Sequence, residues 1–208
     1  MRDCLFLVAD KNIEAMIIGF LSAPKFHLKL GCHHFQFDPK HDLRVAHGKN
    51  DPGIYTVANQ LLQPYCKTHQ HVIVILDAAW SGSPGSDCII EQVNNHCISA
   101  GWSVENCCTI VIDPELENWI WQNNNHVCQA LGSTESYDIL KANLVAQGFW
   151  LNQQSKPHQP KEAVEYILRK NKIPRSSALY KNIAAQVTTK TCTDTAFLRL
   201  KNTLIRWF

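Results

Sequence analysis

The sequence predicts an α/β fold, a mainly parallel sheet flanked by helices and followed by a C-terminal helical extension. Two observations carry this. Three short apolar runs each end on an acid: Leu5-Phe6-Leu7-Val8-Ala9 on Asp10, Val72-Ile73-Val74-Ile75-Leu76 on Asp77, and Cys107-Cys108-Thr109-Ile110-Val111-Ile112 on Asp113. Runs that are rich in β-branched residues and do not alternate read as strands buried on both faces, which is the signature of a parallel sheet covered by helices. Between these runs the pattern turns helical, and strand and helix in alternation imply right-handed crossovers and a doubly wound sheet. Ligands bind in such sheets outside the carboxyl ends of the strands, so the three acids share the edge where a site is expected.

After the first strand, Asn12 is expected to cap a helix through Glu14, Ala15, Met16, Ile17, Phe20 and Leu21, stopping near Pro24. Residues 27 to 37 alternate loosely and are expected as a second strand. Asp51-Pro52 has the form of an N-cap followed by proline in the first turn, announcing a helix to about Cys66. The segment Asp77 to Ser86 is turn-forming throughout, and Ser86 opens a helix with Ile89, Ile90, Val93 and Cys97 on one face, ended by Gly101. Asp113-Pro114 repeats the cap-plus-proline signal ahead of Leu116, Trp119, Ile120 and Val127. Beyond residue 131 only helices are expected, near 136 to 147, 161 to 171, 176 to 188 and 193 to 207, with a polar linker at 153 to 160. The chain therefore divides into an α/β core over residues 1 to 131 and a helical extension over 132 to 208, packed on it.

With 208 residues the chain can bury a substantial core. The net charge is only +2, but it is unevenly placed: residues 1 to 155 carry 9 Lys or Arg against 15 Asp or Glu, and residues 156 to 208 carry 11 against 3. The basic end suits an acidic partner, nucleic acid or protein, with Lys170, Lys172 and Arg175 as candidates, although solvated basic helix faces are the commoner arrangement. Nine cysteines, several inside apolar runs and none in a Cys-x-x-Cys pair, read as reduced core residues. No apolar stretch is long enough to span a membrane, and no cleavable leader precedes the first strand, so a cytoplasmic location is expected.

Two neighbouring-residue clusters argue less. His27, His33, His34, His41 and His47 accompany Cys32, but adjacent ligands point to opposite sides of an extended chain, so a polar strand and loop is a better account than a zinc site. The loop Ser81-Gly82-Ser83-Pro84-Gly85 lacks the Gly-Lys-Ser or Gly-Lys-Thr ending of a phosphate-binding loop. Trp119 and Trp121 stand two residues apart and cannot share a helix face, so at least one packs against another element or a partner.

The order of features resembles the Toprim-like fold, itself a compact Rossmann-like α/β domain, and within it the small stand-alone members of prokaryotic antiviral defence islands, including a component of a methylation-associated defence system. The resemblance is carried by Leu7-Val8-Ala9-Asp10-Lys11-Asn12-Ile13-Glu14, by Val74-Ile75-Leu76-Asp77-Ala78-Ala79-Trp80, and above all by the run from Val111 through Asp113-Pro114-Glu115-Leu116-Glu117-Asn118-Trp119 to Trp121. It extends loosely to Pro160-Lys161-Glu162-Ala163 and Cys192-Thr193-Asp194-Thr195-Ala196-Phe197. It implies a glutamate after the first strand and an Asp-x-Asp pair after a later one, together holding Mg2+ for phosphodiester chemistry.

In this chain Asp10 stands roughly at the first place and Asp77 at the second, but Ala79 occupies the third. Asp87, Asp113, Glu115 and Glu117 are the acids that can supply the missing carboxylate, and Glu117, inside the most specific segment, ranks above Glu115. Each also has a purely structural reading. Asp10 and Asp77 suit a strand-to-loop turn, Asp113 suits an N-cap, and Glu115 and Glu117 suit the positive end of a helix. The expectation is a defence-system component with a degenerate Toprim-like site, Asp10, Asp77 and Glu117 binding Mg2+ to act as a nuclease on nucleic acid, or alternatively a non-catalytic sensor or scaffold that binds other defence proteins.

Overall fold

A computed structural model describes residues 1–187 and 192–208. Four strands, β1 (Arg2–Val8), β2 (Leu43–Val45), β3 (His69–Asp77) and β4 (Cys107–Ile112), form one sheet in the order β2-β1-β3-β4 with every pair parallel. The chain runs outward from β1 to β2 and then crosses back to place β3 on the other side of β1. Strand order therefore reverses between β1 and β3, which opens a crevice at their carboxyl ends. The apolar runs lie where the sequence puts them, and residues Val72 to Leu76 are fully buried because helices cover both faces.

The helices are α1 (Lys11–Leu21), α2 (Phe26–Leu30), α3 (Pro39–Asp42), α4 (Asn50–Leu62), α5 (Ser86–Ser99), α6 (Asn125–Ala130), α7 (Tyr137–Ala146), α8 (Pro160–Lys170), α9 (Ser177–Gln186) and α10 (Thr195–Trp207). Adjacent residues of β4 show which helices take which face. Thr109 Oγ1 donates to Asn94 Oδ1 of α5 at 2.7 Å, while Cys108 Sγ lies 3.3 Å from Thr203 Oγ1 of α10. Successive strand residues point to opposite faces, so α5, with α4 against it, covers one side and α10 the other. On the α10 side, Phe20 of α1 meets Phe197 of α10 with ring centroids 5.4 Å apart, and Trp119 closes the group edge-on. α9 packs along α1, where Gly19 lets the backbones approach: a Cβ there would come within 2.4 Å of the Lys181 carbonyl oxygen.

Four local expectations are corrected. Residues 27 to 37 form no strand: Phe26–Leu30 is a short helix ended by Gly31 in the left-handed conformation, and the second strand is Leu43–Val45. Phe26 and Leu30, four apart, bury one helical face, a spacing that weak alternation in the histidine-rich segment had masked. Asp51 is not the cap of α4, whose N-cap is Lys49 with no side-chain bond. Asp113-Pro114, joined by a cis peptide bond, starts no long helix; a 3-10 turn, Leu116–Trp119, follows it, and α6 begins only at Asn125. The first helix is capped by Asp10 and not by Asn12. The helices of the extension fall within two residues of the expected limits at the ends that are described; the expected end at 188 lies outside the described residues. The nine cysteines are all free, and no helix among the described residues is long and apolar enough to cross a membrane.

Candidate functional site

Hydrogen bonding past the ends of β1 and β3 brings the sequence-predicted acids to one edge. Val8 pairs with Ile75, and the Ala9 amide still bonds the Ile75 carbonyl at 3.1 Å, so Asp10 and Asp77 follow at the same level of neighbouring strands. Asp10 turns its Oδ1 to the amides of Asn12 and Ile13, at 2.7 and 2.8 Å, and so caps α1. That is the structural role an aspartate plays before a helix, stabilising it by about 1 kcal/mol.

Asp77 is the unusual member. Its amide donates to Asp51 Oδ1 at 2.8 Å, so Asp51, which the sequence presents as a helix cap, reaches across 26 residues to the strand end. The Asp77 Oδ1 is closed off from solvent with no hydrogen-bond partner. Burial, then the charges of Asp51, Glu117 and Asp10, push its carboxyl well above the ordinary aspartate range, against the pull of the Leu116 amide. Burial likewise raises Asp51, with Asp10 adding to the shift. The crevice thus favours a proton on Asp77.

Glu117 is held differently. It is buried in the 3-10 turn, accepts from Tyr180 Oη at 2.5 Å and is ion-paired with Arg175. Arg175 also donates from Nε to Tyr180 Oη at 2.7 Å and from Nη1 to Glu165 Oε1 at 3.0 Å. The carboxylate therefore has its charge balanced from the α8–α9 turn. Glu115 points to α8, accepting from the Lys161 amide at 3.2 Å, with the Lys161 ammonium 3.9 Å away. Asp113 is exposed and accepts from Ser86 Oγ at 3.0 Å, and Asp87 is exposed at the start of α5. At the third position of the expected acidic pattern, Ala79 turns its amide to the Pro114 carbonyl at 2.9 Å, which ties the loop after β3 to the loop after β4.

These donors fit Mg2+ poorly, since that ion fills much of its oxygen shell with water but still needs one or two carboxylates free to face it. Asp10 spends one oxygen on its helix, Glu117 is neutralised by Arg175 and accepts from Tyr180, and no group of three or more His, Cys, Asp or Glu among the described residues is arranged to hold a metal ion. The basic candidates also separate. Lys170 and Lys172 are exposed at the end of α8, but Arg175 is occupied by two acids of its own chain.

Asp194, a further buried acid, lies in the loosely similar segment Cys192 to Phe197. It caps α10 through the Phe197 amide at 2.9 Å and accepts from Trp119 Nε1 at 2.8 Å and Asn118 Nδ2 at 2.7 Å, with Lys156 Nζ at 3.5 Å. It locks the Asp113 to Trp121 segment to the extension, and Trp121 Nε1 does the same by donating to the Pro160 carbonyl at 3.0 Å. Comparison with protein-family models, curated proteins and solved structures finds no match to this chain.

Proposed function

We propose that this chain is a Toprim-like component of a prokaryotic antiviral defence system whose acidic site is degenerate, and that it acts as a non-catalytic subunit binding other proteins of that system. The resemblance of the three acid-bearing segments supports the family. The observation that carries the non-catalytic reading is the Glu117 carboxylate, neutralised by Arg175 and hydrogen-bonded by Tyr180, while the third acidic position is Ala79. An acid that is already ion-paired and buried gives little to a cation or a developing phosphate charge. The alternative, Mg2+-dependent phosphodiester chemistry on nucleic acid, draws on the unpartnered Oδ1 of Asp77 at the strand-order reversal.

One experiment separates the two. Pure protein with Mg2+ or Mn2+ and plasmid or linear DNA should give no cleavage, and Asp77→Asn should leave antiviral protection intact in cells carrying the system. Metal-dependent cleavage by the wild type, abolished by Asp77→Asn, overturns the proposal in favour of the enzyme.

A further inference from the structure

α5 and α10 flank the edge strand β4 and run in the same direction along it. Ser86, the first residue of α5, donates from Oγ to Asp113 Oδ2 at 3.0 Å just past the end of β4, and Asn94 farther along the helix meets Thr109. α10 also starts beside Asp113, brings Thr203 to Cys108, and ends with Trp207 Nε1 donating to the Glu105 carbonyl at 2.8 Å, ahead of the strand. Between the two helices lies an open groove of about 960 Å³. All six residues of β4 beneath it are buried, Thr109 completely, so the floor presents no run of free backbone groups.

The walls carry stripes of side chains at helical spacing. On α10, Thr195, Arg199, Asn202 and Arg206 follow at intervals of four, three and four residues and share the face that lines the groove. On α5, Ser86, Ile90 and Asn94 do the same at intervals of four. Arg206 stands at the Cys107 end, and Arg199 stands seven residues back, about 10 Å along the axis toward Asp113. Both arginines are exposed and form no ion pair among the described residues; Arg206 overlies the Trp207 ring, 5.8 Å from its centroid. Asp87, at the Asp113 end of the opposite wall, is exposed and equally unpaired among the described residues. Two apolar side chains of the lining stand in water, Val104 at 66% exposure and Leu198 at 36%.

We infer that this groove binds an amphipathic helix of a partner protein, its apolar side chains on Ile90, Val104 and Leu198 and two acids, seven residues apart, on Arg199 and Arg206. A buried floor gives an extended chain nothing to pair with, so the occupant has to satisfy its own backbone groups, as a helix does. The length suits it, since Thr195 to Arg206 spans about 16 Å, or three helical turns. Acids at i and i+7 of a helix leave one face about 10 Å apart, the spacing of the two arginines. Asp87 favours a basic residue at the far end and disfavours the continuous phosphates of a nucleic-acid strand there. This deepens the reading of the chain as an interaction subunit, and rests on it in taking the partner to be a protein.

The test uses the full chain and a phage-displayed library of helix-forming peptides about fourteen residues long. Selection should enrich an apolar stripe with two acids seven residues apart, and proline in the middle of the best peptide should abolish its binding. Leu198→Glu, and Arg199→Glu together with Arg206→Glu, all at exposed positions, should each weaken binding by about tenfold or more. Lysine at the two acidic positions of the peptide should restore binding to the double arginine variant, a rescue that a misfolded variant would not show. No enrichment, binding that survives the proline, or binding unchanged in these variants overturns the inference. So does oligothymidine held through the same arginines, or a dimer of the chain that Leu198→Glu breaks. If no helix binds while Asp77→Asn still protects cells and the pure protein cleaves nothing, the groove is wrong and the interaction-subunit reading stands. If DNA is cleaved while the helix binds as described, the reverse holds.

Discussion

Asp77 holds its proton more tightly in the folded chain than in the unfolded one, because burial and the surrounding acids raise its carboxyl. The unfolded state then loses that proton first as pH rises, so native stability falls through the window between the ordinary aspartate range and the raised folded value. Asp77→Asn removes this linkage and keeps an oxygen for the Leu116 amide. The variant should melt at a higher temperature than wild type near pH 8, with the gain vanishing below about pH 4, where both states of the wild type are protonated. Thermal unfolding followed across that range checks it, and parallel pH profiles would count against a protonated Asp77. Arg175 argues the opposite case. Its replacement by Met leaves the buried Glu117 with Tyr180 alone, and should cost about 2 kcal/mol in denaturant unfolding, less than for a fully buried pair because the arginine side chain is 32% exposed. Neither role is legible along the chain. Asp77 is visible as the acid after an apolar run, but the burial that raises its carboxyl is made by the fold, the acids that add to it, Asp51 and Glu117, come from 26 and 40 positions away, and Arg175 reads as one more basic residue of a basic end.

At the scale of elements, the strands and most helices could be read because their determinants are local. β1, β3 and β4 are buried on both faces and need unbroken apolar runs, and α8 and α10 bury one face each through Ala163, Val164, Ile167 and through Phe197, Leu200, Leu204. β2 was missed because it is three residues long and pairs only with β1, too short for any period to show. The α1–α9 seam is equally silent in the sequence, since Gly19 sits inside an otherwise good helix, where Ala is favoured by about 1 kcal/mol on propensity alone. The seam reverses that preference. A Cβ at Gly19 would meet the Lys181 carbonyl at 2.4 Å and the Ala184 Cβ at 2.8 Å. Gly19→Ala should therefore destabilise the protein by about 1 to 2 kcal/mol despite the better propensity. Urea unfolding of the pair decides it, and a variant as stable as wild type would show that α9 can shift away without loss.

For the whole molecule, the charge division of the sequence is real but its spatial meaning differs from a single basic stripe. Lys156 is committed to Asp194, Lys161 to Glu115 and Arg175 to Glu117, which leaves, among the described residues, Arg169, Lys170 and Lys172 at one end of α8, Lys181 on α9, and Arg199, Lys201 and Arg206 along α10. Lys161 and Arg175 fasten the extension to the acidic loop after β4, and Lys156 does so by donating to the Asn118 carbonyl. The aromatic group of Phe20, Trp119 and Phe197 shows the same dependence, because its members come from α1, the 3-10 turn and α10. A chain ending at residue 153 would lose the partners of α1, the cover of one face of β4, and both Asp194 and Arg175. It would expose Phe20, Trp119 and Ile17, each now nearly or fully buried and each stabilising by about 2 kcal/mol or more when enclosed. Such a fragment should lack a cooperative unfolding transition and bind a hydrophobic dye, as a collapsed chain without fixed packing does. A sharp calorimetric transition from residues 1 to 153 alone would instead show that the extension is an accessory laid on a self-sufficient α/β core.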